Sequence, residues 1–145
     1  MQYSTENLIN IYGSGQGLPT AKQWETLLSG DMNSPLTVVN FFKFSDRADS
    51  TLISGKEMAG REAFAVYVKT SVPKVSQVGG HFILRGIVEG SLIGDNSTQW
   101  DIVAIGQYPR REYFFKLFQD DEYQKAFKFR QAALEKQDVF LVSTV

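Results

Sequence analysis

The longest alternating pattern in the chain runs from Leu36 to Phe44, where apolar side chains fall on both faces of an extended segment. The even positions carry leucine, valine and two phenylalanines around Asn40, and the odd positions include a valine and a phenylalanine. A strand that is apolar on both sides is covered on both sides in the folded protein. The segment therefore predicts a strand with structure against each of its faces.

Elsewhere, apolar residues recur every three or four positions, which is the period of a helix. Residues 61–77 follow this period, and a second helix is predicted to start at Pro109 and to run to about 118. Asp120 is a good N-cap for a further helix, which extends to about 134, because the acidic residues that follow it favour the positive end of a helix.

Three more strands are predicted, at 81–93, 100–108 and 139–144. In the first of them, strict alternation places His81 and Arg85 on the same face. Gly86 marks a bend or a bulge in that strand.

The order of these elements is β-α-β-β-α-β, which predicts an α+β protein with a ferredoxin-like fold. Such a fold has a four-stranded antiparallel sheet with helices on one face only. Because the other face keeps apolar side chains, we expect it to pack against the sheet of a second copy, in a homodimer.

The chain is predicted to divide into a helical extension, residues 1–34, and the ferredoxin-like domain, residues 35–145. In the extension, Thr5 is the expected cap of a short helix, Pro19 the expected first residue of a second one, and Gly30 its stop signal. The glycine-rich segment 13–17 is interpreted as a flexible linker, because it lacks the spacing of a phosphate-binding loop.

Composition removes several classes of function. The 145 residues include no cysteine and one histidine, so thiolate catalysis, iron–sulfur clusters and histidine-rich metal sites are excluded, and no metal or cofactor is predicted. The formal net charge of −1 argues against a nucleic-acid partner. No apolar run reaches the length of a membrane span and no signal peptide is recognisable, so we expect a cytoplasmic protein.

Several segments resemble, in this order, the bacterial domain-of-unknown-function family numbered 1330, from about Leu36 to Thr144. The segments that carry the resemblance are Val38–Phe44, Gly60–Tyr67, Val78–His81, Trp100–Val103, Gln107–Arg111, Asp121–Gln124 and Arg130–Leu134.

This resemblance implies a ferredoxin-like fold in the dimeric α+β barrel superfamily, and it implies no established activity. The superfamily includes cofactor-free monooxygenases, muconolactone-type isomerases and haem-binding barrels. No catalytic residue is carried over from it, because the family has no agreed set.

Two residues are the candidates for catalysis. Arg130 lies at helical spacing from aromatic residues on the expected buried face, where a guanidinium needs a partner. It is interpreted either as a clamp for a carboxylate or enolate, or as one half of a structural ion pair with Asp101, Glu112 or a loop carboxylate, or as a side chain that snorkels past the aromatic residues. His81 is the candidate general base near neutral pH; the alternatives are a histidine that faces solvent or the dimer interface, and a haem ligand.

Five further residues are candidates for ligand binding: Asn40, Tyr67, Arg85, Trp100 and Tyr108. Arg85 would bind an anion or polarise a carbonyl together with His81. Asn40 either orients a ligand carbonyl or bonds to a neighbouring strand, and the three aromatic residues either line a pocket or fill the core. The predicted function is binding of a small hydrophobic or aromatic metabolite, with a cofactor-free oxygenation or isomerisation as the candidate reaction. The alternative is a non-catalytic ligand-binding or structural dimer.

Overall fold

The structure is a computed structural model that describes residues 4–145. The predicted extension is therefore described from Ser4 onward, and its residues 1–3 lie outside the described part of the chain. The elements, in chain order, are α1 (Thr5–Tyr12), α2 (Ala21–Ser29), β1 (Leu36–Phe44), a 3₁₀ turn (Ser50–Leu52), α3 (Gly60–Gln77), β2 (His81–Ile87), β3 (Ile102–Tyr108), α4 (Arg111–Gln119), α5 (Asp121–Ala133) and β4 (Leu134–Val142).

The four strands form one antiparallel sheet in the order β2-β3-β1-β4. This order confirms the predicted ferredoxin-like arrangement, in which the two central strands are the first and third along the chain. Strand β1 has the predicted bounds, and its even-numbered residues from Leu36 to Phe42 are buried on the side of the helices.

Strand β4 begins at Leu134, directly after α5, and not at Val139 as predicted. Residues 135–138 of this strand are charged or polar, which concealed the strand in the sequence. They are tolerated because β4 is an edge strand that pairs only with β1. The early start places Gln137 opposite Phe42, on the helix side of the sheet.

Strand β2 departs from the prediction in two ways. It ends at Ile87, since the segment that follows has no partner strand and turns at two glycines with positive φ, Gly90 and Gly94. Its pairing with β3 also skips Ile83, so the bulge lies there and not at Gly86. His81 and Arg85 consequently lie on opposite faces of the sheet, and the prediction that they share one face is wrong.

The helical extension is packed into the core of the domain. Trp24 is 1% exposed, and the buried hydroxyl of Tyr12 donates to the carbonyl of Phe118 over 2.6 Å. The helix starts differ from those predicted, because Ser4 and not Thr5 caps α1, and α2 begins at Ala21 after a capping box at Thr20; Gly30 ends α2 as predicted. The extension thus forms part of the layer that covers the helix side of the sheet.

The opposite side of the sheet, which we call the bare face, has no described element packed on it. Register places on this face a set of partly exposed apolar residues: Val39, Phe41, Leu84, Val103, Ile105, Phe140 and Val142. Phe140 is 53% exposed.

Candidate functional site

A cavity of about 1020 Å³ lies between the helix side of the sheet and the helices. Its lining is mainly aromatic and aliphatic, and it comes from the strands, from α2 to α5 and from the segment Gly17–Pro19. A volume of this size is at the upper end of the range for small-molecule sites.

The cavity exists because the central strand β3 carries small residues on that side. Ala104 and Gly106 face the helices between the larger residues of β1 and β2. A Cβ atom at Gly106 would already touch the rings of Phe82 and Tyr108, at 3.8 and 3.7 Å. Small side chains in the middle of the sheet therefore leave an open space that the aromatic rings around it do not fill.

Arg130 reaches this cavity from the last turn of α5. Its guanidinium lies over the rings of Phe42, Phe127 and Tyr67, with the carbon atom Cζ 4.9, 5.1 and 5.6 Å from the ring centroids. Such cation–π contacts stabilise a positive charge that is partly withdrawn from water, as it is in the half-buried Arg130.

The hydrogen bonds of Arg130 go to neutral groups. Its Nε and Nη2 atoms both donate to Oε1 of Gln137, over 3.2 and 2.7 Å, and Nη1 donates to the hydroxyl of Tyr67 over 3.2 Å. The carboxylates considered as partners are engaged elsewhere, because Asp101 pairs with Arg61 and Glu112 with Arg110. Within residues 4–145, no carboxylate forms an ion pair with Arg130.

Tyr67 links Arg130 to a second buried phenol. The hydroxyl oxygens of Tyr67 and Tyr123 are 2.9 Å apart. Burial is the main reason why the pKa of Tyr123 lies well above its ordinary value, and the neighbouring Tyr67 raises it further. Tyr123 therefore stays a neutral phenol at physiological pH.

Three other polar side chains line the cavity and have hydrogen-bonding capacity to spare. Ser71 and Tyr108 are 3% and 4% exposed, and across the described chain neither hydroxyl has a hydrogen-bond partner. Asn40 donates through Nδ2 to the carbonyl of Ala104 over 3.0 Å, which leaves its own carbonyl oxygen without a described donor. Burial also raises the pKa of Tyr108 above its ordinary range. These groups are available to a ligand.

The structure brings five of the seven predicted site residues to the cavity: Asn40, Tyr67, Arg85, Tyr108 and Arg130. Arg85 lies at its edge on β2, exposed, with its guanidinium 5.6 Å from the ring centroid of Phe82. The other two lie elsewhere. His81 is exposed on the bare face, and Trp100 contacts Phe41 of that face, with ring centroids 5.7 Å apart.

Sequence reasoning missed Ser71, Tyr123 and Gln137 as site residues. Gln137 was hidden by the misplaced start of β4. Ser71 and Tyr123 carried a usable signal, since each interrupts an apolar helical face with a polar atom. In the part of the chain that is described, no group of three or more metal-ligating side chains is present. None of the described helices is both long and apolar enough to cross a membrane.

A family model described as "Domain of unknown function (DUF1330)" matches residues 49–145. Two crystal structures of the RPA0582 protein of Rhodopseudomonas palustris, one of them of the methylated protein, are 30% identical to this chain. The methylated form covers 90% of this chain and 96% of its own with a TM-score of 0.82, and the other covers 91% and 98% with a TM-score of 0.81. RPA0582 is described as a protein of unknown function.

A mutant of SnoaB, a cofactor-independent oxygenase from Streptomyces nogalater, is 17% identical over 77% of this chain and 93% of its own, with a TM-score of 0.45. A likeness at that level carries no argument about function. No curated protein matches the chain.

Proposed function

Since this chain belongs to the domain-of-unknown-function family DUF1330, we propose its function from its own cavity: the protein binds a small hydrophobic or aromatic metabolite there. One observation carries the proposal. The apolar cavity of about 1020 Å³ contains three polar oxygens, on Asn40, Ser71 and Tyr108, that the described chain leaves without donors or acceptors. These oxygens are open to the cavity, so a ligand that hydrogen-bonds to them gains both affinity and orientation.

The candidate reaction in this cavity is a cofactor-free isomerisation or oxygenation, which passes through an enolate or a related oxyanion. Arg130 would stabilise the negative charge, because its charge is held by rings and neutral oxygens and not by a carboxylate. The Tyr67 hydroxyl, which Arg130 contacts, would donate a hydrogen bond or a proton to the same oxygen.

Non-catalytic binding is the second candidate function, and one observation favours it. The expected general base, His81, faces away from the cavity. The acidic residue of the lining, Asp138, pairs in register with Phe41 of the bare face. A proton-transfer mechanism would therefore need a base supplied by the substrate itself or by bound water.

The bare face supports a further part of the proposal, self-association as a homodimer through the sheets. Its apolar residues are contiguous over all four strands, and a surface of this kind is usually covered by a partner.

A thermal-shift screen with aromatic acids, quinones, flavins and haem tests ligand binding, using a pair of matched variants. Ala104→Leu extends a side chain into the cavity, whereas Val103→Leu makes the neighbouring change on the bare face. We expect at least one compound class to stabilise the wild type and Val103→Leu but not Ala104→Leu. Absence of any shift, or an equal shift in Ala104→Leu, would overturn the proposed site.

Oxygen uptake and product chromatography with a compound that binds then separate the two candidate functions. An enzyme gives turnover that Arg130→Met abolishes. A binding protein returns the compound unchanged.

A further inference from the structure

We infer that the ligand of this cavity is an apolar carboxylate, and that its carboxylate binds Arg130 by replacing the side-chain oxygen of Gln137. This inference rests on the proposed binding function and specifies the chemical class of the ligand. The observation behind it is that an arginine edge suited to a carboxylate is occupied by a neutral amide oxygen.

The geometry of the contact is that of an anion site filled by a neutral amide oxygen. The Nε and Nη2 atoms of Arg130 lie on one edge of the guanidinium, and both point at the single oxygen Oε1 of Gln137. A carboxylate offers two oxygens to such an edge and forms two parallel hydrogen bonds between opposite charges, which is the bidentate geometry in which arginine recognises carboxylates. The amide satisfies the donors but leaves the positive charge without a counter-charge.

The rest of the fold neutralises little of the positive charge of Arg130. Arg130 lies in the last turn of α5, where the helix dipole offers only a partial negative charge. The aromatic rings around it provide cation–π contacts, which are weaker than an ion pair in the same setting. The lining also includes the exposed Arg85 and the carboxylate of Asp138, so together with Arg130 it keeps a net positive formal charge.

The side chain of Gln137 is placed so that it can move away from Arg130. It lies on the edge strand β4, and its Nε2 atom donates to the carbonyl of Gly17 over 2.9 Å. That carbonyl belongs to the glycine-rich segment whose residues 15–17 all have positive φ. Displacement of the amide by a carboxylate exchanges the two hydrogen bonds that Arg130 donates to Oε1 for two bonds to a carboxylate, while Gly17 remains a partner for Gln137 on the other side.

The surroundings of Arg130 define the rest of the ligand. The rings of Phe42, Phe127 and Tyr67 surround the guanidinium, and the small residues Ala104 and Gly106 provide open space further along the sheet. A carboxylate at Arg130 would therefore extend a flat, apolar body across the sheet.

Titration calorimetry with 2-naphthoate and the neutral 2-naphthalenemethanol tests this inference, because the two probes share one ring system. The wild type should bind 2-naphthoate at least about tenfold more tightly. Gln137→Glu, which gives Arg130 an internal carboxylate, should remove that preference and leave the affinity for the alcohol unchanged. Gln137→Met is the matched control that removes the amide without adding charge, and it should bind 2-naphthoate as well as the wild type or better.

The outcomes separate the two proposals. If neither probe binds the wild type, the proposed apolar site fails, and the present inference fails with it. If the alcohol binds as tightly as the acid, the site stands and the carboxylate assignment is wrong. If Gln137→Glu retains the preference while Arg85→Gln loses it, the anion binds at Arg85 and the assignment to Arg130 is wrong.

Discussion

The hydroxyl of Tyr67 stands between two partners, accepting from Nη1 of Arg130 over 3.2 Å and lying 2.9 Å from the hydroxyl of Tyr123. Tyr67→Phe takes one hydrogen-bond partner from both Arg130 and Tyr123, whereas Tyr123→Phe leaves Tyr67 its bond to Arg130. We expect Tyr67→Phe to lower the free energy of unfolding by about 2 kcal/mol and Tyr123→Phe by about 1 kcal/mol. Urea denaturation measures both, and the reverse order would contradict the assigned network.

Tyr108→Phe should leave stability at neutral pH within about 0.5 kcal/mol of the wild type, because the described chain offers the hydroxyl no hydrogen-bond partner. Burial raises the pKa of Tyr108 above its unfolded value of about 10, so the unfolded chain releases the proton first. The phenol's contribution to stability is thus present below about pH 10 and is lost as the pH rises above it.

The variant should accordingly unfold at a higher alkaline pH than the wild type. Circular dichroism followed against pH, together with tyrosinate absorbance, checks this. A loss of more than about 1 kcal/mol at pH 7 would show that the hydroxyl has a partner within the protein.

Gly60 occupies the point where the end of β1, the start of α3 and the end of α5 meet. A Cβ atom there would overlap the backbone carbonyl oxygen of Ser45 and lie 2.8 Å from that of Ala133. Backbone cannot move aside without disturbing all three elements, so Gly60→Ala should cost about 3 kcal/mol.

Gly30→Ala is the matched comparison, because the atoms nearest to the added Cβ belong to the side chain of Arg111 and not to the backbone. That side chain can swing away at the loss of its hydrogen bond to the carbonyl of Leu27. The expected cost is about 1 kcal/mol. Thermal or urea unfolding compares the two variants, and similar costs would show that the contacts at Gly60 relax.

Asp120 stabilises α5 in two ways. It accepts a hydrogen bond from the amide of Tyr123 and another from Nζ of Lys74, each over 2.9 Å. Burial by itself would raise the pKa of Asp120, but these hydrogen bonds outweigh it and hold the pKa below its usual value. The carboxylate therefore contributes stability that is present above about pH 4 and is lost as the pH falls through its folded-state pKa.

Asp120→Asn should keep the cap, and its free energy of unfolding should fall less than that of the wild type as the pH is lowered. Asp120→Ala should also lose the cap, at a cost of about 1 kcal/mol at pH 7. A fall in Asp120→Asn as steep as that of the wild type would assign the effect to another carboxylate.

Phe140→Asp tests self-association through the bare face. The substitution puts a charge in the middle of the apolar surface, next to Phe41, whose ring centroid lies 6.4 Å from that of Phe140. We expect a dimer for the wild type and a monomer for the variant in sedimentation experiments. Leu92→Asp, at a position that is 96% exposed outside the sheet, is the control that should leave the mass unchanged.

Much of the fold follows from local patterns. The bounds of β1, the helix at 60–77 and the capping role of Asp120 were readable because period and capping involve neighbours in the sequence. From such elements the order of the strands follows, since few arrangements of β-α-β-β-α-β bury every apolar face. The start of β4 could not be predicted in this way, because its polar residues lie in an edge strand, which needs no alternating pattern.

The sequence by itself determined the elements, their order and the presence of an unusual arginine among aromatic residues. Only the tertiary structure decided what that arginine contacts. Gln137 and Tyr67 come from a strand and a helix that are distant from each other along the chain, and no local pattern joins them to Arg130. The bulge at Ile83 likewise depends on pairing with β3, and it alone put Arg85 at the cavity and His81 on the other face. A site built from contacts between separate elements depends on their relative placement, which periodicity along one chain does not record.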